Sequence, residues 1–239
     1  MDTEILRSLM NCSLTEEEAK PVLLEENDLI DGVVECEASA FVKVHALNLG
    51  VAGPIIHVFF PSIEGKRWVM ESGPWCFDNH LLIIKNWVRG EDPMDISFDE
   101  CKFSFQVRGL KEEFYTKEVA NNLSSSFMAC EIMELCKDKA GKNFFRVKAT
   151  VNVQQPIRRF VNFQVGTTHG AGYLTYGRLP YLCFHCGLMG HLIRQCPKLP
   201  EGASPQKHVV YGLWIKAPAE KSKVEFRLIT DGLNHDKPS

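Results

Sequence analysis

The chain has 239 residues, of which 45% are apolar and 24% charged, and its formal net charge is −3. This balance excludes a disordered or fibrous polypeptide and is that of a chain able to bury a core. No stretch approaches the roughly 20 apolar residues of a membrane-spanning helix, and the N-terminus, MDTEILRSLM, is acidic where a secretory signal is basic, so an intracellular protein, nuclear or cytoplasmic, is expected.

In chain order, Ser13-Leu14-Thr15-Glu16 has the form of a capping box, predicting a short helix through Lys20 that Pro21 stops. Residues 33–46 are apolar-rich but irregular and receive no assignment. Pro54–Phe60 reads as a buried strand. Ser62 opens a helix to about Glu71 with Gly73 as its stop, and Leu81–Trp87 reads as a further strand. Residues 90–100, GEDPMDISFDE, form an acidic loop and are read as a domain boundary.

The second half has a cleaner order. Lys102–Val107 alternates apolar and polar residues, the period of a strand. Thr116 caps a helix to about Phe127. Cys130–Cys136 and Phe144–Val153 follow as strands joined by the turn Lys137–Lys142, and Arg159–Val165 adds another. Strand-helix-strand-strand predicts an α+β class with one or two ferredoxin-like lobes. That layout also occurs in RNA-recognition motifs, although their aromatic signature is absent here. The tail after Pro197 is proline-rich and reads as a partly ordered extension. The expected division is 1–100, an acidic domain; 101–178, a basic lobe; 179–200, a small metal module; and 201–239, the extension.

Net charge conceals an asymmetry. Residues 1–100 hold 7 basic and 19 acidic residues, a net of −12; residues 101–150 hold 9 and 6; residues 151–200 hold 5 basic residues and no acidic one. A partner carrying negative charge is therefore expected at the C-terminal half.

Of nine cysteines, Cys12, Cys36, Cys76, Cys101, Cys130 and Cys136 are scattered, as thiols of a reducing compartment usually are. The other three lie in CFHCGLMGHLIRQCP, residues 183–197. Cys183, Cys186, His191 and Cys196 are spaced Cys-x2-Cys-x4-His-x4-Cys, and three thiolates with one imidazole make the closed tetrahedral shell of a structural zinc. Gly187 and Gly190 supply the backbone freedom that so short a loop needs. A module of this size has little core, so metal binding is expected to supply its folding energy, on the order of 10 kcal/mol. Phe184, with Tyr181, Leu192 and Ile193, forms a candidate apolar plate for an unstacked base. Arg194, Lys198, Arg178, Arg158 and Arg159 are candidate phosphate partners.

The segment CFHCGLMGHLIRQCP resembles the retroviral nucleocapsid type of zinc knuckle. Around it, Leu14-Thr15-Glu16-Glu17-Glu18, Glu71-Ser72-Gly73-Pro74-Trp75-Cys76-Phe77-Asp78, Val107-Arg108-Gly109-Leu110, Pro156-Ile157-Arg158-Arg159, Leu179-Pro180-Tyr181 and Tyr211-Gly212-Leu213-Trp214-Ile215-Lys216 resemble a plant family in which a domain of unknown function precedes such a knuckle. That family is similar to the gag-like first-open-reading-frame proteins of LINE-type retrotransposons. The resemblance runs from about residue 14 to 216, with a shortened stretch between Asp31 and Pro54. It implies binding of zinc and nucleic acid, a ferredoxin-like first domain, and partners that include single-stranded nucleic acid, a second copy or element-encoded proteins. Reverse transcriptase or endonuclease activity is expected of another chain. A protein–protein adaptor docking through the knuckle is the alternative. An enzyme is not expected: no nucleophile stands beside a base, and His45, His57, His80, His169, His208 and His235 are scattered.

Overall fold

A computed structural model describes residues 23–45, 54–200, 209–218 and 223–229. The capping box at Ser13 and the helix through Lys20 lie outside the described residues. Those described form a mixed α/β arrangement of two antiparallel sheets and three short helices. None of these helices is long and apolar enough to cross a membrane.

The first sheet has the order β2-β1-β4-β3, built from β1 (Ser39–His45), β2 (Ile55–Phe59), β3 (Trp75–Phe77) and β4 (His80–Asn86). The unassigned stretch 33–46 resolves into helix α1 (Ile30–Glu37) and β1. This strand took no clear alternation because Ser39, Ala40 and Phe41 are buried in succession. Helix α2 (Ile63–Ser72) starts where expected, with Ser62 Oγ accepting from the Gly65 amide at 3.1 Å. Sequence reading missed β3. It is paired to β4 through the two-residue turn Asp78-Asn79, both at positive φ (47° and 59°), which Asp and Asn tolerate better than most residues.

The second sheet has the order β10-β6-β7-β5-β9-β8. Its strands are β5 (Glu100–Arg108), β6 (Ile132–Lys137), β7 (Asn143–Asn152), β8 (Phe160–Val165), β9 (Thr168–Tyr176) and β10 (Lys223–Ile229), with α3 (Lys117–Ser124) between β5 and β6. Thr116 caps α3, its Oγ1 accepting from the Val119 amide at 3.2 Å. Alternation sorts the strands into two faces. Phe103, Phe105 and Val107 of β5, Met133 of β6, Phe145 and Val147 of β7 and Leu174 of β9 turn inward, covered by Ala120 and Leu123 of α3. The outer face carries charged pairs around the buried Cys136 and Phe144. There Glu134, 4% exposed, receives Arg146 at 3.1 Å and Arg227 of β10 at 2.6 Å. Arg108 pairs with Asp138 at 2.9 Å, and the guanidinium's hydrogen bond holds that carboxyl below its ordinary pKa.

The structure departs from the expected ferredoxin-like order. Strands β5 and β6 both run antiparallel to β7 between them, so β5-α3-β6-β7 does give the anticipated strand-helix-strand-strand unit. A ferredoxin-like module continues with a second helix and strand. Here a hairpin, β8–β9, follows instead, turning at Gly166 with φ +59°. Gly170 and Gly172 discourage a helix, and Gly170 leaves the space that the Phe163 ring fills: a Cβ on Gly170 would lie 2.2 Å from it. The first sheet also opens with a hairpin rather than a crossover, so the ferredoxin-like order is completed in neither sheet among the described residues. Strand β10 pairs with β6 and places part of the C-terminal extension in the sheet.

Loop residues 87–99 connect the two sheets, and one buried cluster takes in Phe41, Leu81 and Ile83 of the first sheet, Phe98 of the loop and the core of the second sheet. We propose the loop as a domain boundary on its polarity. Limited proteolysis is then expected to cut first around Glu91–Asp95, where Met94 is 72% exposed. First cuts inside either sheet would reject that division.

Candidate metal centre

The segment after β9 doubles back as a miniature hairpin. Leu182 bridges Met189, the Cys183 amide donates to the Leu188 carbonyl at 2.9 Å, and the Gly187 amide donates to the Cys183 carbonyl at 2.9 Å. Gly187 (φ +75°) and Gly190 (φ +94°) turn the chain where a side chain would strain it. A 3-10 turn, Ile193–Gln195, then brings Cys196 round, its amide donating to the Ile193 carbonyl at 3.2 Å.

The result is convergence. Ligand atoms of Cys183, Cys186, His191 and Cys196 all lie within 4.8 Å of one another, and Cys186 Sγ is 3.5 Å from His191 Nε2. A tetrahedral shell with metal–sulfur bonds of about 2.3 Å has edges of about 3.8 Å, so this spacing is that of donors around one ion. Cys183, His191 and Cys196 are buried and Cys186 is half-exposed. Burial pushes the Cys183 thiol up to about 12, with hydrogen bonds from Cys186 and Cys196 adding to the rise. A cation beside the Cys183 sulfur opposes that rise and favours the thiolate that ligates. Burial also lowers the pKa of His191, keeping its ring in the neutral form that ligates. The donor set fits one zinc ion, held with no position left open for water.

Residues 182–198 match the zinc knuckle family. No curated protein and no solved structure matches the chain.

The knuckle is not a bead on a string. Its Leu182 and Met189 belong to the protein's common core, so the segment has more packing than its length implies. The Ile157 amide donates to the Gly187 carbonyl at 3.0 Å, and the Tyr181 amide donates to Asn79 of the β3–β4 turn at 2.8 Å. Residues 209–218 close over the other side. The Val210 and Tyr211 amides both donate to the Phe184 carbonyl, at 2.8 and 2.9 Å, and the Tyr211 hydroxyl donates to the Ile157 carbonyl at 3.0 Å. The Tyr211 ring lies over Gly187, where a Cβ would come within 2.3 Å of it. Sequence reading missed Ile157 and Tyr211 as supports, although Gly187 was a signal that some neighbour approaches closely there.

The expected binding residues separate into two groups. Leu192 (45% exposed), Arg194 and Lys198 stand at the surface of the knuckle, with Ile193 half-exposed beside them. Phe184 is half-buried against the core, and Tyr181 packs edge-on to His80, ring centroids 5.2 Å apart. Arg159 is brought beside the knuckle, its guanidinium 5.2 Å from the Tyr211 ring. Arg158 and Arg178 are tied elsewhere. Arg158 donates to the Ser126 carbonyl at 2.7 Å, and Arg178 donates to the Ser72 carbonyl at 2.8 Å while lying over Trp75.

Metal analysis of the purified protein should give one zinc per chain, and the Cys186→Ser, Cys196→Ser double variant should carry none. Gly187→Ala forces a side chain into an anchored ring at a positive φ. It should lower the stability of the zinc-loaded protein by about 1–3 kcal/mol, read from the urea midpoint.

Proposed function

We propose that the protein is a zinc-dependent binder of single-stranded nucleic acid, RNA or DNA, of retrotransposon gag-like origin, acting in the cell interior by binding rather than by catalysis. The observation that carries this reading is the four-donor knuckle set in a stretch, residues 151–200, with five basic residues and no acidic one. Exposed Arg194 and Lys198 offer charge for phosphates beside the apolar edge of Leu192 and Ile193. So small a module cannot fill a duplex groove, whereas single strands present their base faces openly. The net of −12 over residues 1–100 repels phosphate and directs the strand to the other half.

The reading predicts a titration curve. Labelled single-stranded oligonucleotide binds the zinc-loaded protein with little sequence preference, and affinity falls steeply with salt. Chelation of the zinc abolishes binding, and Arg194→Ala reduces the salt slope by about one phosphate's worth. Binding that survives chelation would place the site away from the knuckle. Absence of binding at low salt would transfer the knuckle to the adaptor reading, in which it docks a protein.

A further inference from the structure

Resting on the single-strand reading above, we propose that bases stack on an aromatic platform formed by Phe160 and Trp214, next to the zinc knuckle. Phe160 opens β8, and Trp214 lies in the 3-10 turn Leu213–Ile215. The two are 54 positions apart, yet their rings lie 6.2 Å apart centroid to centroid and 30° from parallel. Such an offset pair is the geometry in which a third flat ring extends the stack.

Both rings face solvent. Phe160 is 48% exposed, Trp214 46%, and Tyr173, the cross-strand neighbour of Phe160, 40%. Aromatic rings of this size normally bury far more of their surface. Phe184, half-buried and packed on the core, offers a poorer stacking face.

The turn that holds Trp214 is fixed. Ile215 is fully buried, the Ile215 amide donates to the Gly212 carbonyl at 3.1 Å, and Ala217 donates to Tyr176 of β9 at 2.8 Å. The platform is therefore presented by a rigid scaffold and loses little freedom on binding.

The charge around it selects the occupant. Arg159 lies 5.9 Å from the Phe160 ring and 5.2 Å from the Tyr211 ring, so it stands between the platform and the residue that covers Gly187 of the knuckle. Lys216 is exposed two residues beyond Trp214. The segments that build the patch, within residues 151–200 and 202–219, contain no Asp or Glu. Exposed aromatic faces interleaved with cations, on segments that carry no carboxylate of their own, suit a strand of bases linked by phosphates. A second tryptophan pair, exposed Trp68 with half-buried Trp75 at 5.3 Å, lies on the acidic half, and Trp68 serves as a control.

The test is titration of the zinc-loaded full chain with fluorescein-labelled oligo-dT and oligo-U about 12 nucleotides long. Phe160→Ala and Trp214→Ala should each weaken binding by about 5- to 100-fold, while Trp68→Ala binds as the wild type does. Trp214→Phe keeps a ring and retains most of the affinity, but it removes the tryptophan quenching that the oligonucleotide produces in the wild type. Phe160→Leu keeps the apolar volume, removes the π-face and should bind weakly, which carries the test if an alanine variant fails to fold. Zinc content and thermal melting verify each variant. If the wild type binds in a zinc-dependent way while folded Phe160→Leu and Trp214→Ala bind equally well, the platform is overturned and the knuckle reading stands. If the wild type binds neither oligonucleotide, both fall.

Discussion

Convergence of three thiols and an imidazole is the constraint on which the C-terminal half is arranged. Donors that close would be unfavourable neighbours in the absence of an ion, and an ion at their centre fixes a loop too short to fold by burial alone. What distinguishes this protein is how the fixed loop is used. Its Gly187 receives the Tyr211 ring on one side and its carbonyl receives the Ile157 amide on the other. The metal thus orders a surface against which two distant segments close, so that loop, strand edge and C-terminal return become one unit.

The C-terminal return does a second job. After Tyr211 it runs beside the end of β9, where β8 has stopped, with Lys216 bridging Tyr176 in parallel. It then supplies β10 at the far edge of the same sheet, beside β6. Strand β10 thus covers the edge of β6, and the Lys216 bridge continues the pairing of β9 past the end of β8, leaving β8 and β10 as the edge strands of the sheet. On the outer face, cations are matched by carboxylates: Lys102 and Lys148 by Glu131, Arg146 and Arg227 by Glu134, and Arg108 by Asp138. The basic residues of the knuckle region have no such local acids in sequence. The positive charge of the second half is therefore divided among pairs that shape the sheet, arginines bonded to backbone carbonyls (Arg158, Arg159 and Arg178), and Arg194 and Lys198 exposed on the knuckle.

Much was legible beforehand, for identifiable reasons. Metal ligands are legible because ligand chemistry and spacing are local: two residues between cysteines and four to the histidine are enough. Helices α2 and α3 announced themselves through Ser62 and Thr116, since a capping hydroxyl acts within three residues. Strand β5 was visible in its alternation, because one of its faces is buried and the other polar. Strands β3, β9 and β10 were not. The first is three residues long, the second is rich in glycine, and the third is a strand only because β6 offers it an edge.

The sequence by itself determined the zinc site, the caps, the alternating strands and the uneven charge, all properties of neighbours along the chain. Tertiary structure alone decided that the knuckle is seated in the common core, that Arg158 and Arg178 are tied to carbonyls elsewhere, and that Phe160 meets Trp214. Those outcomes depend on which segments close over one another across many residues. The free energy of such contacts comes from shape and burial, which no local pattern encodes.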